Sequence, residues 1–495
     1  MAAATTASNG LPKRSTSEDA SSDYVVPLTI AGEEVQTSKT FAVTGPSSGK
    51  IVWTASSASV DDAIAAAASA QEAFSAWSRT TSSHRRDIFL RAADIIDRRR
   101  HELAEYMQAE TGSEAAFSAG FNVPLSAEIL RDVAGRISSI QGSIPSCSEE
   151  GRNALIFKEP YGVVLGLAPW NAPYILGFRA VAYALAAGNT AVLKGSELSP
   201  RCFWAVASVF GEAGLPAGAL NVIASRREDA AEVTTALIVH PSIKKINFTG
   251  STAIGSLISQ TAGKHLKPVV MELGGKASAI VLRDANLKTA AHECALGAFL
   301  HSGQICMSTE RILVDSTVVE EFSGYLKTAV RDIFGSDSAQ VLVSPAAAQR
   351  SARLVENAKS LGAKILTGSL VGDEASSARM RPIVVENVSK DMDLYYTESF
   401  GPSVSLLTFD TETEAIDIAN DTEYGLSASV FTESLSRGLN VARQIESGAV
   451  HINGMTVHDE PNLPHGGTKQ SGFGRFGGSW GLDEFLRTKT VTFKV

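Results

Sequence analysis

The chain has 495 residues, 44% of them hydrophobic, and a formal net charge of −9 from 44 basic and 53 acidic residues. This length exceeds what one hydrophobic core usually serves, so we expect two or more domains. The acidic balance and the absence of a Lys/Arg run argue against nucleic acid and anionic membrane as partners. No apolar run reaches the roughly 18 residues that span a bilayer.

The four cysteines form no CxxC pair and have no histidine at a spacing suited to zinc: they are Cys147, Cys202, Cys294 and Cys306. We therefore expect a reducing compartment, no structural metal and a cytoplasmic protein. Residues 1–22 are rich in Ala, Ser and Thr and lack the apolar block of a secretory signal. Their acidic residues also argue against a transit peptide, so we predict a disordered tail.

Residues 56–112 read as helical, and residues 151–170 read as strand, turn and strand. Helices and strands then alternate. The predicted helices cover 175–187, 201–213, 229–239 and a segment after residue 255. The predicted strands cover 189–195, 219–224, 243–250 and 268–275. Strands separated by 10–15-residue helical patterns indicate a doubly wound parallel α/β sheet.

A second alternating set begins with strands at 278–282 and 311–316 and runs to a strand at 448–454. Helices are predicted between them at 318–334 and 347–361. The final "RTKTVTFKV" alternates as an exposed strand does, and another subunit would complete its unpaired edge.

Two strand-to-helix connections in the first set suit a nucleotide. "FTGSTAIG" (248–255) opens a helix, so its backbone N–H groups and Ser251 would meet a phosphate; the other reading is an ordinary capped helix start. "AVLKGSE" places Lys194 and Glu197 past the carboxyl end of a strand, where open α/β sheets bind ligands. Here both side chains could form hydrogen bonds with the diol of an adenosine ribose. The alternative is that Lys194 and Glu197 are ordinary solvated surface residues.

Five further segments follow one another in a fixed order: "LAPWNAP" (167–173), "MELGGK" (271–276), "GQICMSTER" (303–311), "ESFGP" (398–402) and "PHGG" (464–467). With "GSTAIG", this ordered set resembles the aldehyde dehydrogenase superfamily over roughly residues 25–495. The resemblance implies an α/β fold with a doubly wound parallel-sheet dinucleotide-binding domain, a second α/β catalytic domain and a small β oligomerisation arm. The implied segments are 23–137 and 161–273 for NAD binding, 274–481 for catalysis, and 138–160 with 482–495 for the arm.

The resemblance also implies three catalytic residues. Cys306 would be the nucleophile, because a thiolate adds to an aldehyde carbonyl, and the other three cysteines are taken as inert. Asn171 would donate to the resulting oxyanion, unless it merely shapes a turn. Glu272 would activate water to hydrolyse the thioester, and its apolar flanks predict a raised pKa if it is buried. A carboxylate at this position favours water over coenzyme A as the acyl acceptor.

The implied cofactor is NAD, with Glu398 and Phe400 at the nicotinamide ribose and ring. Glu197 would repel a 2′-phosphate, so NAD is favoured over NADP. The implied cofactor-binding residues are Pro169, Trp170, Lys194, Glu197, Gly250, Ser251, Gly255, Glu398 and Phe400.

In the family, the helix after Asn171 lines the substrate tunnel. Four residues share one face of that helix here: Ala172, Ile175, Leu176 and Arg179. Arg179 either meets a hydroxyl, phenolate or carboxylate of the substrate or carries its charge to solvent or a neighbouring subunit.

Two further features concern the substrate. Ile305, Met307 and Ile175 would clasp a flat ring. His465 stands where much of the superfamily has Phe; it would donate to a phenolic oxygen, or it is only a looser polar substitute.

"WNAPYILGFRA", "GQICMSTERI" and "HINGMTVHDEPNLPHGG" most resemble the salicylaldehyde and vanillin dehydrogenase branch. The implied function is NAD-dependent oxidation of an aromatic aldehyde to the carboxylic acid. One alternative is the same chemistry on an aliphatic aldehyde or a semialdehyde carboxylate. A more distant alternative is a non-catalytic dinucleotide-binding or structural relative. The expected partners are a small-molecule aldehyde and further copies of the chain, in a homodimer or homotetramer.

Overall fold

The computed structural model describes residues 24–335, 338–370 and 377–494, so the predicted disordered tail lies outside the described residues. The helices are α1 (Val60–Trp77), α2 (Ser82–Arg98), α3 (Arg100–Thr111), α4 (Ala115–Phe117), α5 (Val123–Arg136), α6 (Pro173–Ala186), α7 (Pro200–Glu212), α8 (Ala230–Val239), α9 (Thr252–Lys264), α10 (Leu287–Phe299), α11 (Val319–Phe334), α12 (Pro345–Ser360), α13 (Asp393–Tyr396), α14 (Glu412–Asn420), α15 (Leu435–Ala442) and α16 (Gly478–Glu484). A π-helical turn covers Ser118–Asn122, and 3₁₀ turns cover Ile137–Ser139 and Leu300–Gly303.

The strands are β1 (Val25–Val26), β2 (Leu28–Ile30), β3 (Glu33–Val35), β4 (Thr40–Thr44), β5 (Ile51–Ser56), β6 (Arg152–Pro160), β7 (Val163–Leu167), β8 (Thr190–Lys194), β9 (Leu220–Ile223), β10 (Ile243–Thr249), β11 (Val269–Glu272), β12 (Ala277–Val281), β13 (Thr309–Asp315), β14 (Gln340–Val341), β15 (Lys364–Thr367), β16 (Arg379–Met380), β17 (Ile383–Glu386), β18 (Ser403–Phe409), β19 (Tyr424–Gly425), β20 (Ser427–Phe431), β21 (Ala449–Ile452), β22 (Thr468–Lys469), β23 (Gly472–Phe473) and β24 (Leu486–Lys494).

The first sheet has the strand order β23-β11-β10-β7-β8-β9-β2-β3 within the described residues. Its five central strands are parallel, as predicted. The antiparallel edges were not predicted. One edge, β23, comes from the segment assigned to catalysis and pairs with β11, so the chain returns to the first sheet near its end.

The central strands of the first sheet are continuous apolar runs and are buried on both faces. Helices must therefore cover both faces of the sheet. In β7, Val163, Leu165 and Leu167 pack into one core cluster with α1, α8 and α9, whereas Val164 packs into the other with α2, α5, α6 and α7. This is the doubly wound arrangement that the alternating pattern predicted.

The second sheet has the order β15-β17-β18-β13-β12-β20-β21 and is parallel except at β15. Strands β12 and β13 bury every residue, which fits helices on both faces. The predicted second α/β unit is therefore confirmed.

The predicted C-terminal strand is β24, which pairs antiparallel with β6 from Leu486↔Pro160 to Lys494↔Arg152. One of its edges is therefore paired within the chain, by a strand of the other predicted arm segment. The other edge carries no strand of the described chain. Separately, none of the described helices combines the length and the apolar composition needed to cross a bilayer.

Candidate active site

Cys306 lies in a turn between the 3₁₀ segment Leu300–Gly303 and β13, and it is partly exposed. The turn is tightly built: His301 and Ser302 adopt left-handed φ angles of 48° and 59°. A Cβ at Gly275 would sit 2.2 Å from the backbone oxygen of Cys306. Only glycine therefore lets the segment after β11 approach the cysteine this closely.

Asn171 is buried beside this turn, and its Nδ2 donates to the backbone oxygen of Gln304 at 2.9 Å. A carboxamide nitrogen carries two protons, so the second remains for another acceptor. The structure thus ties the predicted oxyanion donor to the loop that carries the predicted nucleophile.

Glu272 ends β11 and is buried, and neither of its carboxyl oxygens has a hydrogen-bond partner among the described residues. Burial raises its pKa well above the ordinary value, as its apolar flanks predicted. Burial also raises the pKa of the Cys306 thiol to about 12, and the charges of Glu398 and Glu272 add to this effect. The thiol therefore rests protonated and needs a base before it can attack.

Arg179 is buried on α6 and forms an ion pair with Asp459, in the segment after β21. The guanidinium does not reach solvent, so the prediction that Arg179 carries its charge to solvent is wrong. Asp459 was not predicted as a site residue, although a buried arginine requires an acidic partner and "HDEP" offered one.

His465 is largely enclosed, with 11% of its side chain exposed, and lies between two carboxylates. Its Nε2 is 3.6 Å from Oε2 of Glu272, and its Nδ1 is 3.6 Å from Oδ1 of Asp459. Sequence reasoning found His465 as a departure from the family pattern but did not predict these neighbours. Its contact with a substrate stays a prediction.

At the predicted cofactor site, Lys194 ends β8 and is buried, and burial lowers its pKa while Glu197 opposes that shift. Ser251 precedes the 13-residue helix α9, with Gly250 before it and Gly255 in the first turn, and its side chain makes no capping bond within the described chain. No side chain of the described residues caps the start of α9. Its first backbone N–H groups therefore suit a phosphate.

Glu398 and Phe400 lie on the loop before β18. Oε1 of Glu398 accepts from the backbone N–H of Gly275 at 2.9 Å, and burial raises its pKa to about 7. Phe400 has a φ of 46°, and its ring lies edge-on to that of Trp170 with centroids 5.9 Å apart. Trp170 and Pro169 follow β7. The carboxyl of Glu398, the start of α9 without a side-chain cap, and the aromatic pair of Phe400 and Trp170 would suit a dinucleotide.

The surroundings of Cys306 are apolar. Ile305, Leu300 and Cys306 pack against a small buried cluster of Met307, Leu426 and Val457. Ile305 also contacts the large core cluster that contains Ile175 and Leu176, with Ala172 at its margin.

An aromatic wall near this cluster was not predicted. Phe117 and His301 stack at 4.3 Å with an interplanar angle of 9°, and Trp170 lies 6.5 Å from His301. Burial lowers the pKa of His301 to about 4, so its ring is neutral near pH 7. The left-handed backbone of His301, which builds this stack, has no signal in the sequence.

Within residues 24–335, 338–370 and 377–494, no group of three or more His, Cys, Asp or Glu side chains is arranged to hold a metal ion. Together, the site combines a thiol, a buried carboxyl and an amide donor with a helix start and side chains that would suit a dinucleotide.

Comparison with known proteins agrees with this chemistry. The profile of the aldehyde dehydrogenase family matches residues 34–491. The chain belongs to the aldehyde dehydrogenase family. It is therefore an aldehyde-oxidising enzyme whose cofactor is a nicotinamide dinucleotide, and the predicted family, fold and reaction class are confirmed.

Relatives of this aldehyde dehydrogenase include the aromatic branch that the sequence resembled. A vanillin dehydrogenase from Pseudomonas sp. strain HR199 is 42% identical over 95% of this chain and 98% of its own length. A salicylaldehyde dehydrogenase from Pseudomonas putida G7, solved with salicylaldehyde, matches with a TM-score of 0.92 and 38% identity over 95% of this chain and 98% of the other. PnpE, solved with nicotinamide adenine dinucleotide, matches with a TM-score of 0.90 and 31% identity over 95% and 97%.

Proposed function

We propose that this enzyme oxidises an aromatic aldehyde, with salicylaldehyde-like compounds preferred, to the carboxylic acid, using NAD. The observation that carries the substrate class is the apolar enclosure of Cys306 by Leu300, Ile305 and Met307. A flat ring suits such a lining, and methionine adapts to aromatic faces. The names of the relatives with 38–42% identity point the same way.

In the proposed mechanism, Cys306 loses its proton and its sulfur adds to the aldehyde carbon. The carbonyl oxygen becomes negative and is stabilised by the Asn171 amide and the backbone N–H of Cys306. A nicotinamide dinucleotide bound beside Glu398 and Phe400 would supply the oxidising power, as the acceptor of the hydride that leaves the adduct carbon. Cys306 then carries a thioester.

Glu272 completes the cycle as a general base. It takes a proton from water, the water oxygen bonds to the thioester carbon, and the carbon–sulfur bond breaks. Cys306 leaves as the thiolate, and the product is the free carboxylic acid. The side-chain carboxyl of Glu272 has no competing hydrogen bond within the described chain, so it can receive this water.

The semialdehyde alternative needs a cation for the substrate carboxylate. Arg179, the predicted candidate, is already paired with Asp459, so its charge is largely neutralised. The observed pairing therefore favours the aromatic substrate. We still propose that Arg179 and His465 line the substrate pocket.

NAD is the proposed dinucleotide, because Glu197 lies with Lys194 at the carboxyl end of β8, where it would repel a 2′-phosphate. Replacing Glu197 with Gln should raise kcat/KM for NADP relative to NAD. The experiment measures both cofactors with one aldehyde; an unchanged ratio would assign the preference to other residues.

The substrate proposal is tested by NADH formation at 340 nm with salicylaldehyde, benzaldehyde, hexanal and succinic semialdehyde. We expect kcat/KM to be highest for the two aromatic aldehydes. Ile305→Ala should lower that preference, whereas Leu435→Ala, at a remote and exposed position, should not. Equal turnover of hexanal and salicylaldehyde would contradict the aromatic assignment.

We further propose that copies associate through the arm of β6 and β24, in a homodimer or homotetramer. The outer edge of β24 carries no strand of the described chain, and Phe157, Val491 and Phe493 are exposed on this sheet.

All four cysteines are free, which supports the reducing, cytoplasmic compartment expected from the sequence.

A further inference from the structure

Three motifs of the proposed site each contain a polar residue that the proposed mechanism does not use. They are Lys276 in "MELGGK", Glu310 in "GQICMSTER" and Ser399 in "ESFGP". The structure brings these three residues together. Nζ of Lys276 donates to Oε2 of Glu310 at 2.8 Å, and the backbone N–H and Oγ of Ser399 donate to Oε1 of Glu310 at 2.9 and 2.8 Å. Both oxygens of one carboxylate are therefore engaged.

The cluster is buried, and the second sheet places its two charges. Lys276, Glu310 and Ser399 are all almost fully buried. Lys276 directly precedes β12, and Glu310 is the second residue of β13, which pairs in parallel with β12. A buried carboxylate needs a partner of opposite charge and donors for its remaining lone pairs. Lys276 supplies the charge, and the loop before β18 supplies the further donors.

The loop that Glu310 holds also carries two of the proposed cofactor contacts, Glu398 and Phe400. On one side of Glu398, Lys276 donates to the backbone oxygen of Thr397 at 2.8 Å. On the other side, the backbone N–H of Phe400 donates to Oε1 of Glu310 at 3.3 Å. The charged pair therefore contacts the loop both before and after Glu398.

Phe400 needs contacts of this kind. Its φ of 46° is a left-handed conformation, which is unfavourable for a residue with a side chain and persists only where the surroundings hold it. Its ring lies edge-on to that of Trp170, so a change in this backbone would move the ring away from Trp170. Glu398 depends on the same surroundings, because its Oε1 accepts from Gly275, the residue before Lys276.

We propose that Glu310, paired with Lys276, is a positioning residue for the nicotinamide half of the cofactor. It fixes the loop of residues 397–400, so that Glu398 and Phe400 are in place before the dinucleotide binds. Binding then does not have to order the loop, which saves affinity that would otherwise be lost. The inference rests on the proposed roles of Glu398 and Phe400 at the nicotinamide ribose and ring.

The geometry also predicts which half of the cofactor depends on Glu310. The residues proposed for the adenosine ribose and a phosphate belong to the first sheet and its helices: Lys194 ends β8, and Ser251 precedes α9. Glu310 belongs to the second sheet. Loss of its contacts should therefore weaken the binding of NAD but not that of ADP, which lacks the nicotinamide ribose and ring.

The test uses two double variants of the full-length enzyme that both lack the charged pair. Lys276→Met with Glu310→Gln keeps an amide oxygen for the N–H groups of Ser399 and Phe400, whereas Lys276→Met with Glu310→Leu keeps none. Both double variants lose the bond from Lys276 to Thr397, so the difference between them reports the acceptor alone. Thermal melting checks that each variant is folded.

The measurements are the Kd of NAD and of ADP by protein fluorescence, and amide hydrogen exchange of the peptide covering 397–401 without cofactor. The variant with Leu should bind NAD about tenfold more weakly than the variant with Gln, because buried N–H groups left without an acceptor are costly. The Kd of ADP should agree within about twofold. Exchange of the peptide should be faster in the variant with Leu, and its KM for NAD should rise more than its kcat falls.

Equal NAD affinity in the two double variants overturns the inference. So does an equal loss of affinity for NAD and ADP, since the pair would then only stabilise the fold. If the variant with Leu does not fold, Ser399→Ala decides, because it removes one donor to Glu310 and leaves both charges in place. It should weaken NAD binding about threefold and leave ADP binding unchanged, whereas wild-type NAD affinity would overturn the inference.

Two further variants separate this inference from the proposed function on which it rests. If Glu398→Gln and Phe400→Ala both bind NAD as tightly as wild type, the proposed cofactor role of this loop fails, and the inference fails with it. If they weaken NAD binding while the two double variants bind NAD equally well, the cofactor role stands and only the inference about Glu310 fails.

Discussion

At the scale of single residues, the reactivity of Cys306 comes from its neighbours rather than from its own ionisation. Burial holds the thiol protonated, and the carboxylates of Glu398 and Glu272 reinforce this effect. Activation therefore requires proton removal at the moment of reaction, whereas the buried carboxyl of Glu272 is proposed to act in the later hydrolysis step. Cys294, by contrast, is enclosed in an apolar core cluster.

Replacing Cys306 with Ser should abolish aldehyde oxidation and leave NAD binding and thermal stability close to wild type. A hydroxyl is a far weaker nucleophile here, while its size is similar. The measurement is NADH formation together with NAD titration. Cys147→Ser is the matched control and should keep full activity; a Cys306→Ser enzyme that retained most of its turnover would contradict the assignment.

Replacing Asn171 with Ala should lower kcat by about a hundredfold to a thousandfold, the usual cost of losing one oxyanion donor. The change also removes the bond to the Gln304 oxygen, so a small loss of thermal stability should accompany it. Asn171→Asp keeps the shape without the donors and should be as slow. Near-normal kcat in both variants would mean that Asn171 only shapes the turn.

Many of these residues could be predicted because each sits in a short motif whose order identifies the family. Asp459 and His301 could not be predicted in the same way. The partner of Arg179 lies 280 positions away along the chain, and the stack of His301 on Phe117 depends on a left-handed backbone that no motif encodes.

At the scale of secondary-structure elements, the buried ion pair joins α6 to the segment after β21. Arg179 and Asp459 are both almost fully buried, so removing one partner leaves the other charge uncompensated. The usual cost is about 3–5 kcal/mol.

Arg179→Met and Asp459→Leu should therefore each lower the thermal midpoint strongly, whereas the double variant should recover part of the loss. The readout is melting followed by circular dichroism, with all variants at one pH and protein concentration. If the double variant is destabilised by the sum of the two single changes, the two side chains do not depend on each other.

The strand and helix alternation predicted the central strands of both sheets, because buried parallel strands are continuous apolar runs. The antiparallel edge strands of the first sheet could not be predicted from the sequence. β2, β3 and β23 have only two or three residues each, too short for a periodic signal, and β23 lies 200 residues from its partner β11 in sequence.

At the scale of the whole molecule, the arm formed by β6 and β24 packs little against the rest of the chain. Apart from Leu486, every residue of β24 is exposed, although a nine-residue ladder holds the strand to β6. A strand this exposed, with one edge bare in the described chain, invites pairing with another copy.

Charged substitution of this strand should reduce the mass of the particle in solution. Val491→Arg with Phe493→Arg should shift wild-type oligomers toward smaller species by light scattering at micromolar concentration. Leu435→Arg and Leu439→Arg, which change another exposed apolar pair on α15, should leave the mass unchanged. A monomeric wild type would refute assembly through the arm.

The most direct test of the central account is peptide mass spectrometry of Glu272→Gln after incubation with NAD and salicylaldehyde. The account requires about one equivalent of NADH per subunit and a salicyloyl group on the peptide that contains Cys306, because acylation proceeds while hydrolysis is blocked. An acyl group on another residue, or sustained NADH formation with Cys306 unmodified, would contradict it.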